Sequence, residues 1–433
     1  MMRSMYSGIS GLRVHQTKMD VIGNNIANVN TAGFKAGRVT FSEVFNQTLQ
    51  GASGANEATG RGGTNPMQVG LGVNIASIDT LMTEGAAQRT DNPLDLKVEG
   101  EGFFVVDDGS GYKFTRAGAF RIDSSGNIVS PEGQKLMGWG VNNNTGEIEK
   151  GVVESLSILS PANLYSEPEK TTNVYLEGNI DRNDTQLDPL NGGVPFTISF
   201  YDSLGYRYTA ELKLTSTAGD TDFAITVGAV KDSKGETKAV GTDSVTVSFN
   251  PATGKVNLTG DTQLNITGLN GATDFSEMAE PLTVDLSQLT LFSGKTSIQS
   301  VRGDTSGFGA GREAGTMSGF SIGPDGKIQG RYTNGENKLL GQVVIAQFRN
   351  PAGLQKVGNN LFQVTTNSGD FDGIGMDPTA TGGALNAGVL EMSNVDLSRE
   401  FTEMITTQRG FQANSRIITS SDEMLQELVN LKR

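Results

Sequence analysis

Residues 393–433 read SNVDLSREFTEMITTQRGFQANSRIITSSDEMLQELVNLKR, and the spacing of their apolar side chains decides how the rest of the chain is read. Ser393-Asn394-Val395-Asp396 offers a helix N-cap with an acid in the first turn. Leu397, Met404, Phe411, Ile418 and Leu425 then recur every seven residues without a break. A seven-residue apolar period marks a narrow helical seam that packs on another helix. Phe401, Ile405, Ile417, Met424, Leu428 and Leu431 widen the stripe, and Lys432 and Arg433 complement the negative end of the helix dipole. Only Gly410 interrupts it, at a cost of about 1 kcal/mol relative to alanine.

The opposite end repeats the pattern more weakly. Over residues 4–29, Met5, Leu12, Met19 and Ile26 fall seven apart, flanked by Ile9, Ile22 and Val29. Asn24, Asn25, Asn28 and Asn30 then weaken helix propensity, and Gly33 stops the helix. Ordinary surface helices on a single domain show broad apolar faces rather than seams. The two terminal seams are therefore expected to pair with each other or with neighbouring copies of the chain. Residues 50–66, QGASGANEATGRGGTNP, lack apolar anchors and read as a flexible tether within a linker segment spanning 31–75.

Between the ends the chain reads as β structure. The 57 glycines in 433 residues are about twice the usual usage and are not periodic, which points to many hairpins and excludes collagen. Gly102-Phe103-Phe104-Val105-Val106 is a short buried strand, and Phe120-Arg121-Ile122 and Asn127-Ile128-Val129 flank a four-residue turn. Phe196, Ile198 and Phe200 alternate, as do Tyr206, Tyr208, Ala210, Leu212 and Leu214, and Val245, Val247 and Phe249 match Val256 and Leu258 across a turn. The expected division is a helical core from 1–30 with 390–433, an inner β domain from 76–145 with 283–389, and an outer β domain inserted at 146–282. The fold class is mainly β with long terminal α-helices.

Composition narrows the chemistry. A net charge of −14 argues against nucleic-acid binding, which needs a basic face. With no cysteine and only His15, neither a thiolate site, a cysteine nucleophile nor a multi-histidine metal site can be built. The Asp-Gly turns lack the twelve-residue acidic ladder of a calcium loop. No stretch approaches the ~18 apolar residues of a membrane span, and the N-terminus lacks the apolar core of a cleaved signal peptide. No catalytic, cofactor or metal residues are expected.

The ends also resemble a known family. Ala27-Asn28-Val29-Asn30-Thr31-Ala32-Gly33-Phe34-Lys35, after Ser7-Gly8-Ile9-Ser10-Gly11-Leu12, resembles the N-terminal signature of the flagellar rod, hook and hook-associated axial proteins. Asn394, Asp396 and Leu397, with Gln408-Arg409-Gly410-Phe411-Gln412-Ala413-Asn414, resemble the C-terminal signature. Gly319-Phe320-Ser321-Ile322, Asn350-Pro351-Ala352-Gly353-Leu354 and Tyr201-Asp202-Ser203-Leu204-Gly205 are similar to hook-type members, whereas much of 215–280 is matched only by position. The resemblance implies a self-assembling, non-enzymatic subunit of a curved hollow tube that transmits torque as a universal joint. It further implies that the terminal helices lie innermost and that export uses the flagellar type III apparatus. The implied partners are copies of the chain, a distal rod protein, a hook cap and a hook–filament junction protein. A distal rod or other axial role is the near alternative, and the large insertion disfavours it. A secreted β-rich carbohydrate-binding or hydrolytic protein is the alternative of another class. It leaves both seams unexplained and offers one tryptophan, Trp139, with no aromatic platform.

Overall fold

The computed structural model describes residues 2–54, 60, 62–142, 145–217, 221–240, 244–257, 263–266, 282–380 and 382–431. Among the described residues, long helices are confined to Met2–Ala27 and Leu397–Asn430, and strands make up most of the rest, so the fold class is the one expected. The C-terminal helix starts where the sequence places its cap. The Asp396 carboxylate accepts from the amides of Ser398 and Arg399 at 2.9 and 3.4 Å, satisfying donors that the first turn leaves free.

The chain folds as two compact units. The first comprises Met1–Ser160, Phe320–Gln329 and Leu339–Arg433. Its central strands are Phe103–Asp107, Tyr112–Thr115 and Lys135–Trp139, with Leu361–Gln363 and Gln355–Gly358 beyond the second. Phe103, Val105, Phe114, Trp139, Val344, Phe348 and Phe362 share one apolar core. The hairpin at Arg121–Ile122 and Ile128–Val129 closes on Asp123, whose carboxylate accepts from the amides of Ser125 and Asn127. That is turn chemistry, as expected. Two short sheets bring the chain back before the C-terminal helix: Ala384–Ala387 pairs with Leu96–Glu99, and Val389–Glu391 with Ala87–Arg89.

Residues 37–80 correct the reading of a flexible tether. Gly37–Glu43 pairs with Val73–Thr80, Asn46–Gln50 pairs with Met67–Gly70, and Ser53 bridges Thr64. The polar stretch is the outer part of a long antiparallel ribbon; residues 55–59 and 61 lie outside the described residues. Every residue of Asn46–Gln50 and Met67–Gly70 is exposed. Burial on alternate positions, by which a strand is recognised in a sequence, is therefore missing here.

The second unit comprises Pro161–Gly319 and Gly330–Lys338. Val194–Tyr201, Arg207–Ser216 and Asp222–Asp232 form an antiparallel meander, in which the alternating side chains of the first two strands point into the core. A second sheet orders Gln263–Ile266, Leu282–Thr290, Asn173–Asn179 and Ser297–Arg302. Val174, Leu176, Phe196, Phe200, Leu212, Phe223, Val284 and Leu286 from both sheets meet in one cluster, as in a sandwich.

The expected boundaries at 146 and 282 therefore move. Leu282–Thr290 pairs in parallel with Asn173–Asn179, which carries 283–319 into the second unit. Residues 146–160 stay with the first, where Ile148 bridges Val141 and Ser155 pairs with Met137. Phe249 bridges Val256 as read, while Leu258 lies outside the described residues.

Candidate assembly site

The two terminal helices pack antiparallel within the first unit. Gly8 lies against the Asn414 carbonyl and Ile418, Gly11 against the Asn414 side chain, and Gly410 under the His15 ring. Lys18 Nζ reaches Glu403 at 3.2 Å, and Asn25 Nδ2 donates to Glu400 Oε1 at 3.2 Å. Apart from Ile417 and Ile418 over Gly8, these contacts are made by small and polar side chains. A Cβ on Gly11 would lie 2.6 Å from Asn414 Nδ2, so its absence is what lets the helices approach so closely.

This corrects the expected seam. On the N-terminal helix the buried positions are Gly8, Gly11, Val14, Ile22 and Asn25. Of the predicted stripe only Ile22 is buried, and Met5, Ile9, Leu12, Met19 and Ile26 are half-buried. The seven-spaced residues lie roughly 90° round the helix from the line of contact. On the C-terminal helix only Thr407 and Ser421 are buried; Met404, Phe411, Ile418 and Leu425 are half-buried, and Leu397 and Phe401 are exposed. The intrachain pair thus leaves much of both apolar stripes open.

Electrostatics tune the pair. Burial raises the Glu403 carboxyl, but hydrogen bonds and charge from Lys18 and Arg399 outweigh it and leave the group below the usual glutamate range. Burial pushes Glu400 up despite its bond from Asn25. Burial, then the charge of Lys18, pulls His15 below the usual histidine value, and its buried Nδ1 has no hydrogen-bond partner.

The motif residues build a clasp where the N-terminal helix ends and the C-terminal helix begins. Asn28 Nδ2 donates to the Asn24 carbonyl at 2.9 Å, and Asn28 Oδ1 accepts from Thr31 at 3.1 Å, closing the turn after the first helix. Gly33 turns at φ +71°, and a Cβ there would meet Ala117 N at 2.5 Å. Phe34 is buried beneath Lys356, whose Nζ sits 5.0 Å above the ring centre. Asn394 Oδ1 accepts from the Ala36 amide at 2.8 Å, and its Nδ2 donates to the Leu81 carbonyl at 2.8 Å and to Thr83 Oγ1 at 3.0 Å. Asn414 lies between the helices, whereas Gln408 and Arg409 face solvent.

At the centre is an ion triad that sequence reasoning missed. Glu391, fully buried, meets Lys35 Nζ at 2.6 Å and Arg116 Nη1 at 3.5 Å, with both cations at most 4% exposed. Glu391 Oε1 also accepts from the Gly85 amide at 3.0 Å, and Lys35 donates to the Thr83 carbonyl at 2.7 Å. Burial lowers the Lys35 ammonium and the Arg116 guanidinium from their usual values against the pull of Glu391. Lys35 was legible as part of the N-terminal motif. Glu391, 356 residues away, carried no local signal.

Large apolar side chains stay exposed on these elements: Phe401 and Ile405 on the C-terminal helix, and Val44, Phe45, Leu49, Met67 and Ile78 on the ribbon. Three family models match at the ends and the inner β region. They are the flagella basal body rod protein over residues 5–35, the flagellar hook protein FlgE/F/G D1 domain over 97–166, and the flagellar basal body rod FlgEFG protein C-terminal over 386–431. The flagellar hook protein FlgE of Borreliella burgdorferi is 39% identical over 100% of both chains.

The chain belongs to the flagellar hook protein family.

The Treponema pallidum FlgE is 36% identical, again over 100% of both chains. The Bacillus subtilis flagellar basal-body rod protein FlgG, an axial relative, is 32% identical over 100% of both chains. The chain is accordingly a structural subunit of the flagellar hook.

Proposed function

We propose that the chain polymerises into the curved hollow tube of the hook and passes motor torque from rod to filament as a universal joint. The observation that carries this reading is the apolar surface left open along the helix pair and ribbon. Phe401, Ile405, Phe45 and Leu49 are 50, 58, 68 and 57% exposed. Exposed apolar patches mark surfaces that other protein covers. A two-stranded ribbon tip exposed on both faces has little stability of its own and gains it by being covered.

In this reading Met5, Ile9, Leu12, Met19, Ile26, Leu397, Phe401, Met404, Phe411, Ile418 and Leu425 face neighbouring copies in the innermost tube. The β region of the first unit forms the shell around it. The terminal partners are the distal rod protein, the hook cap and the hook–filament junction protein. The subunit leaves the cell through the flagellar type III apparatus and works outside it, with no catalysis and no cofactor.

Gold-labelled antibody against residues 161–319, applied to intact flagella of the source cells, tests this. Label confined to the short curved segment between cell body and filament is the expected result. Label along the filament, or none on the axial structure, would overturn the reading.

A further inference from the structure

The paired helices turn different chemistry away from each other. On the C-terminal helix Ile417, Met424, Leu428 and Leu431 are 43, 49, 50 and 80% exposed, and Glu423 and Glu427 are exposed among them. No basic side chain occurs between Arg416 and Lys432, and the carbonyl end of the helix adds to the negative potential. On the N-terminal helix Met2 and Tyr6 are 60 and 61% exposed, with Arg3 and Arg13 exposed beside them. Neither arginine belongs to an ion pair among the described residues. At the helical spacing, Tyr6 and Arg13 lie on the side opposite Gly11 and Lys18, and Glu423 and Glu427 lie on the side opposite Asn414 and Ser421.

We propose that the outward face of the C-terminal helix, built from Glu423, Met424, Glu427 and Leu431, seats on the outward face of the N-terminal helix of a second copy, at Met2, Arg3, Tyr6 and Arg13. The inference rests on the polymer reading above and adds which faces meet and with what sign of charge. Charge complementarity selects the occupant, because each chain carries both halves of the contact. The apolar side chains supply burial, and the charges around them set register and association rate. Two different patches on opposite sides of one helix pair make a head-to-tail contact. Such a contact propagates into a ring or an open helix rather than closing as a symmetric pair.

Polymerisation of the purified full chain, followed by light scattering and electron microscopy at low and high salt, tests the contact. The double variant Glu423→Arg/Glu427→Arg should raise the critical concentration about tenfold or more at low salt. Arg3→Glu/Arg13→Glu should do the same, and the four changes together should restore assembly to within about threefold of the parent. Far-UV circular dichroism and the milder Glu423→Gln/Glu427→Gln variant separate loss of contact from loss of fold. Unchanged assembly by either reversed pair, or a combined variant no better than its parts, overturns the proposal and leaves the polymer reading standing. A parent chain that forms no polymer overturns both.

Discussion

Replacing Glu391 with alanine should unfold the first unit far more readily while leaving every exposed assembly residue in place. The side chain is fully buried and is the counter-charge for Lys35 at 2.6 Å and Arg116 at 3.5 Å, which are 1 and 4% exposed. Removing it strands two cations away from water and frees the Gly85 amide. Breaking a buried pair from one side costs about 3–5 kcal/mol, much more than the intact pair contributes. Trp139 is the only tryptophan, lies in the first unit and is 3% exposed, so its fluorescence reports that unit. With a urea dependence near ~3 kcal/mol/M for a unit of this size, the midpoint should fall by about 1 M or more. Making all three residues apolar, Glu391→Leu/Lys35→Met/Arg116→Met, should recover most of that loss, because no charge is left unpaired. A fall below ~0.3 M for Glu391→Ala would refute the claim that the clasp depends on charge compensation.

Two further outcomes follow from the same surfaces. His15 is the only histidine, so its ring protons give an unambiguous NMR titration. Its folded value is depressed by burial and by Lys18, so the unfolded chain takes up the proton first. The stability it confers is complete above the unfolded value near ~6.5 and declines as pH falls from there towards the folded value. A midpoint at or above 6.5, or a stability difference between pH 7.5 and 5.5 unchanged in His15→Gln, would contradict this. Gly33→Ala should cost more than ~2 kcal/mol, because φ +71° disfavours any side chain and the new Cβ meets backbone at Ala117. Urea denaturation read at Trp139 checks it, and a cost below ~0.5 kcal/mol would show that the turn is not held there.

The sequence made the ends legible because their signals are local. The cap at Asp396 and the run from Leu397 specify a helix without reference to anything distant. The contact between the helices was not legible. Apart from Ile418 over Gly8, it uses Gly8, Gly11, His15, Lys18 and Asn25 against Glu400, Glu403, Gly410 and Asn414, residues with no hydrophobic period to reveal them. The apolar period was real but described surface that the single chain leaves open. Ribbon residues 46–50 and 67–70 fell within the 31–75 linker reading because neither face is buried. The border of the second unit was misplaced because Leu282–Thr290 finds its partner across more than a hundred residues, at Asn173–Asn179. Pairing at that distance leaves no trace in the pattern of either strand.

The central claim is that this chain builds a tube around its own terminal helices. Helical reconstruction by electron cryo-microscopy of the polymer formed by the purified full chain tests it most directly. The account predicts a hollow tube whose innermost density is the antiparallel pair Met2–Ala27 and Leu397–Asn430. A polymer with those helices on its outer surface, or a chain that remains monomeric under all assembly conditions, would contradict it.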